Sequence, residues 1–180
     1  MITGILFFQL FTTLPLYHKE QFDLTEFQSG LLLTLNGFVI FLLEMPIVNY
    51  IEKNKVNKIK IITIGTFAMA MSMLLLLFNV WAGILIIMIL FMTIGEMFAF
   101  PFSNSFALSR APKGHEGRYM AIFTMSYSLA HILSAKTGMT IIENYGYQTN
   151  WLFMGTLGFV GALLCYWVMV LVRRENKLKI

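Results

Sequence analysis

The chain has 180 residues, 58% of them hydrophobic and only 12% charged, with a net charge of +4. A mean hydropathy of +0.73 excludes a soluble domain of this size, which needs far more polar surface than the composition supplies. The positive balance does not indicate nucleic acid, because the basic residues fall in short clusters between apolar runs.

A helix crossing a hydrocarbon layer about 30 Å thick needs roughly 20 apolar residues. Six segments meet or approach that length: 2–17, 28–51, 59–78, 81–108, 118–142 and 150–172. The expected fold class is therefore an all-α membrane protein with six transmembrane helices in a single transmembrane domain spanning 1–180. The first segment is short and starts with no basic flank or cleavage site, which argues against a signal peptide and suggests the later part of something longer. The connections His18–Phe27, Glu52–Lys58, Asn79–Val80, Ser109–Gly117 and Glu143–Thr149 are short and polar, and none holds a soluble domain.

Charge alternates along these connections. Lys53, Lys55, Lys58 and Lys60 follow the second segment. Arg110, Lys113 and Arg118 follow the fourth, and Arg173, Arg174, Lys177 and Lys179 follow the sixth. The first connection sets Lys19 against Glu20, Asp23 and Glu26, and the fifth carries Glu143 alone. The positive-inside rule then places the C-terminus in the cytoplasm of a multi-pass protein of the cell membrane.

Polar residues inside such segments are costly, so they face protein or water. Segment one holds Gln9, Thr12 and Thr13; segment two holds Asn36 and Glu44. Segment four holds Glu96 and Asn104; segment five holds His131 and Lys136. Segments three and six have no ionisable residue in their interiors and read as lipid-facing. A pattern with a period of three helices inverts topology, as in transporters built of two inverted three-helix repeats. Glu96 reads either as a carboxylate that exchanges a proton or as a structural acceptor. His131 reads either as a proton relay or as a packed imidazole. Glu44, before Pro46 near the cytoplasmic end, suits a structural or gating role.

No HExxH, GxSxG or Walker sequence is present, and Ser126, Ser128 and His131 on one helix lack an oxyanion partner. The chain does not read as an enzyme. It calls for no cofactor, and its one cysteine, Cys165, offers no metal cluster.

Three stretches carry a family likeness. The first opens Gly30-Leu31-Leu32-Leu33 and ends Pro46-Ile47-Val48-Asn49-Tyr50-Ile51-Glu52-Lys53. The second is Gly95-Glu96-Met97 with Pro101, and the third is Gly117-Arg118-Tyr119-Met120 with the basic residues before it. In this order they resemble the C-terminal six-helix half of a major facilitator superfamily transporter. Asn49 stands where that pattern usually has Gly, and Glu52-Lys53 where it has Asp-Arg.

The resemblance implies alternating access around a midplane site. By position it puts Gln9, Thr12, Thr13 and Glu96 on the substrate pathway; the polar residues inside the segments add Asn36 and Asn104 to that pathway and make Glu96 and His131 the proton-coupling candidates. Glu44, Glu52, Lys53 and Arg118 would serve gating or structure. The expected function is secondary transport of a small solute, with proton-coupled efflux of drug-like molecules as its finer form. The implied partners are the lipid bilayer, a small-molecule substrate and a missing N-terminal six-helix half. The rival reading is a six-helix scaffold or accessory subunit with no translocation path.

Overall fold

The computed structural model describes residues 1–78 and 81–178, with side chains described as far as Glu175. The connection expected at Asn79–Val80 and Lys179 lie outside the described residues, as does the side chain of Lys177. Every regular element among the described residues is a helix: α1 (Ile2–Thr12), α2 (Leu14–Phe22), α3 (Glu26–Lys53), α4 (Lys58–Leu75), α5 (Gly83–Ser109) and α6 (Glu116–Leu178).

Local chemistry explains the boundaries. Pro15 has no N–H for the turn before it, and the backbone relaxes at Thr13, separating α1 from α2. The two otherwise run on, so the first helical stretch reaches Phe22 rather than Tyr17. A left-handed Asp23 (φ 51°) ends it. Thr25 and Gln28 form a reciprocal capping box that starts α3. Asn57 caps α4 by accepting from Ile59 N–H at 2.9 Å.

The polar stretch 143–149, expected to be a loop, is helical except at one residue. Gly146 adopts φ 82°, ψ 172°, outside the helical region and open only to glycine. It divides α6 into two arms, 116–145 and 147–178, each longer than a membrane crossing needs. By length and composition α3, α4, α5 and α6 can each cross a membrane.

The arms of α6 embrace α1. Ala130, Ser134 and Gly138, four residues apart, are buried on the first arm. Gly4 packs on Ala130, and Gln9 and Thr13 on Gly138, so closely that a Cβ on either glycine would lie under 3 Å from its neighbour. On the second arm Gly158 packs on Leu6 and Ala70, and Gly161 on Ile2 and Thr66. The core fills with Leu6, Leu10, Leu14, Met69, Met73, Met88, Met92, Trp151 and Met154. These methionines are packing residues, suited to irregular gaps between helices.

Exposure is uneven. Of α3 only Ser29, Asn36 and Ile51 are buried. The first arm of α6 is also largely open, with Ile122, Met125, Leu129 and Ile132 exposed. α4 is mostly packed, but Ile64 and Phe67 form an exposed stripe one turn apart.

The two ends of the bundle differ in charge. At one end Lys58 Nζ donates to Ser105 Oγ, joining the start of α4 to the end of α5. Arg110 pairs with Glu175 at 3.1 Å, joining the end of α5 to the tail. The three basic clusters therefore share an end. At the other end the Tyr147 hydroxyl donates to Glu20 at 2.8 Å, and Tyr17 donates to the Leu76 carbonyl at 3.2 Å.

Candidate functional site

Among the described residues, two hydrogen-bonded polar clusters join different helices inside the apolar interior. The first joins α3 to α5. Asn36 Nδ2 donates to Glu96 Oε1 at 3.1 Å and to Thr93 Oγ1 at 2.9 Å. Thr93 in turn donates to the Ile89 carbonyl at 2.7 Å, within its own helix. Glu96 is 4% exposed and Asn36 7%. Glu96 stands at the centre of α5, about 20 Å from either end at 1.5 Å per residue, and Asn36 lies near the centre of α3. No Lys or Arg pairs with Glu96 among the described residues. The amide of Asn36 uses one hydrogen for each oxygen, so both of its donors are engaged.

Gly95, beside Glu96, serves packing. A Cβ at Gly95 would lie 2.9 Å from the Gly65 carbonyl, and one at Gly65 would lie 2.8 Å from the Gly95 carbonyl and the Ala99 nitrogen. The backbones of α4 and α5 therefore meet directly behind the carboxylate, which fixes the face of α5 that carries Glu96.

The second cluster joins α1 to both arms of α6. Gln9 Nε2 donates to Ser134 Oγ at 2.8 Å and to the Ser134 carbonyl at 3.0 Å. Gln9 Oε1 accepts from Thr13 Oγ1 and, at 3.3 Å, from Asn150 Nδ2. Ser134 Oγ donates to the Ile5 carbonyl at 2.8 Å. Gln9, Thr13, Ser134 and Asn150 are all fully buried. This is a closed knot between three helical segments, and Gln9 is its centre. Replacing Gln9 with Leu removes partners from Ser134, Thr13 and Asn150 at once. The expected cost is about 1–2 kcal/mol, read as a lower melting midpoint of the purified protein.

The remaining residues singled out in the sequence are dispersed. Thr12 is half-buried and donates to the Phe8 carbonyl at 2.9 Å. Asn104 is exposed and Glu44 is half-buried. The His131 ring lies 4.5 Å from that of Phe8 and is otherwise exposed. Glu52, Lys53 and Arg118 are exposed at the basic end, and Lys136 is exposed on the first arm of α6. Ser126 and Ser128 donate to carbonyls of their own helix, so neither hydroxyl is set up as a nucleophile. Thr93, Ser134 and Asn150 belong to the clusters but had not stood out in the sequence.

The family model of the Major Facilitator Superfamily matches residues 4–180. The chain belongs to this superfamily. It is thus a multi-pass membrane protein of a family of transporters, not of enzymes. An uncharacterized transporter of the superfamily from Methanocaldococcus jannaschii is 32% identical over 121 residues, covering 66% of this chain and 31% of that protein. A Na(+), Li(+), K(+)/H(+) antiporter from Planococcus maritimus is 22% identical over 194 residues, covering 98% of this chain and 45% of the antiporter.

Among solved structures, a POT family transporter in complex with 5-aminolevulinic acid superposes with a TM-score of 0.76 at 23% identity, over 91% of this chain and 38% of that one. A second, in complex with a thioalcohol conjugated peptide, gives 0.77 at 22%, over 96% and 39%. These likenesses establish the fold. The chain spans less than half the length of each of these proteins.

Proposed function

We propose that the chain is the C-terminal half of a secondary transporter that moves a small solute by alternating access. In this reading six crossings, two of them the arms of α6, form two inverted three-helix repeats. A second six-helix half covers the open faces of α3 and the first arm of α6, and lipid covers the rest. The basic end faces the cytoplasm and the C-terminus lies there.

The observation that carries this reading is the Asn36–Thr93–Glu96 cluster. A carboxylate at the centre of a membrane helix, bonded to a carboxamide rather than paired with a cation, is expensive unless it serves a pathway. Glu96 is the proton-coupling residue, with His131 as its candidate relay. Asn36, Thr12 and Asn104 line the route. Gln9 and Thr13 hold the half together instead of touching solute, because their neighbours already satisfy them.

The sided arrangement is tested by single cysteines at Asp23, Lys113 and Glu143 in the complete protein with Cys165 and any other cysteine replaced by Ser. An impermeant maleimide labels Asp23→Cys and Glu143→Cys on intact cells, and Lys113→Cys only after permeabilisation. Labelling of all three on intact cells contradicts the orientation. Transport itself is tested by solute uptake into liposomes containing the complete protein. A scaffold would give no uptake above protein-free liposomes.

A further inference from the structure

A pocket at the basic end lies outside the proposed pathway. It has a volume of about 380 Å³ and is lined by Ile51, Glu52, Lys55, Val56, Lys58 and Phe102. Its apolar wall includes Ile51 and Phe102, which are 7% and 1% exposed. Its polar wall carries two ammonium groups against one carboxylate. Lys53, which ends α3, and Lys60, in the first turn of α4, stand exposed on either side of this turn, so the local charge is positive.

The backbone of this turn is unusual. Lys55 has φ 48°, in the left-handed region. Its N–H bonds to the Glu52 carbonyl at 3.0 Å, and the next N–H bonds to the Ile51 carbonyl at 3.3 Å, closing the end of α3. Glycine is the usual residue at such a helix end, because a Cβ there is strained. A lysine keeps the strain and gains an ammonium at the mouth of the pocket. Lys58 is held in place by its bond to Ser105.

We infer that this pocket binds the phosphate of an anionic phospholipid, with Lys55 and Lys58 on the phosphate and Ile51, Val56 and Phe102 against the start of an acyl chain. A positive rim over an apolar wall, at the edge of a membrane-spanning helix pair, matches an amphiphile with an anionic head. Glu52 leaves one net positive charge among the lining groups, which suits a phosphodiester. The inference rests on the chain crossing a bilayer, not on transport. Loss of lipid binding with intact uptake would overturn this inference alone.

The test uses the complete protein in nanodiscs of phosphatidylcholine, with and without phosphatidylglycerol. Native mass spectrometry reads retained lipid, and thermal unfolding reads stability. The expected result is selective retention of phosphatidylglycerol and a higher melting midpoint in its presence. Lys55→Gly relieves the strain, so its midpoint in phosphatidylcholine stays at or above that of the parent, while retention falls about five-fold. Lys58→Gln lowers retention similarly. Equal retention of both lipids, or unchanged retention in Lys55→Gly, overturns the proposal. So does an equal rise in midpoint when inorganic phosphate is added to phosphatidylcholine discs, which would mark a site for free anions.

Discussion

Glu96→Gln abolishes the dependence of uptake on an imposed proton gradient. Glutamine keeps the shape of the side chain and one carbonyl oxygen at the position of Oε1, so Asn36 retains its acceptor. What is lost is the ability to gain and release a proton in the middle of the membrane. The variant therefore folds, with a melting midpoint within a few degrees of the parent. Its proton-driven uptake falls at least 100-fold, a size typical of removing a group that must carry the proton. Solute exchange without a gradient persists, because the alternating motion does not itself require the charge. Uptake is measured in liposomes across pH 5.5 to 8. A variant that follows the parent's pH profile would leave Glu96 a structural acceptor only.

Gly65→Leu has the largest expected effect on stability. The side chain would start 2.8 Å from backbone atoms of α5, and neither Ala99 N nor the Gly95 carbonyl can swing aside as a side chain would. α4 and α5 must separate, which opens voids around Met69 and Met92 in the core. The expected loss is about 3 kcal/mol or more, enough to remove most folded protein from the membrane. Gly37→Leu is the control, since nothing lies within 4 Å of a Cβ there. Detergent-solubilised yield and melting midpoint compare the two. Equal behaviour would mean that the close crossing of α4 and α5 does not support the fold.

The all-helical, apolar character of the chain was legible from hydropathy because lipid leaves a helix little choice. The common end of the basic clusters was legible from alternating charge, and the pairing of Arg110 with Glu175 fits it. The break inside α6 was misplaced in character. The stretch Glu143–Thr149 is polar and reads as a loop, yet the chain needs only Gly146 to turn, and helix continues on both sides.

The site was half legible. Glu96 and Asn36 stood out because an ionisable or amide group is rare in an apolar run. Their contact did not, since it depends on how α3 crosses α5. Thr93 and Ser134 escaped notice because a hydroxyl in a helix can bond to its own backbone and costs little in lipid. Asn150 escaped because it falls at a segment boundary. Gln9 and Thr13 were visible as polar, but their hydrogen bonds to each other, Ser134 and Asn150 were not, since these depend on how α1 packs between the arms of α6. That packing depends on Gly138, whose missing side chain makes room for Gln9 between the helices.

The central claim is that the face of this half carrying the Asn36–Glu96 pair opens to water alternately from each side of the membrane. It is tested by the complete protein with Asn36→Cys as its single cysteine, Cys165 and any other cysteine replaced by Ser, labelled with an impermeant maleimide applied to each side in turn. Labelling from either side, with saturating solute or a proton gradient shifting the ratio between sides, is the predicted result. No labelling from one side under any condition, with full labelling in detergent, would contradict it.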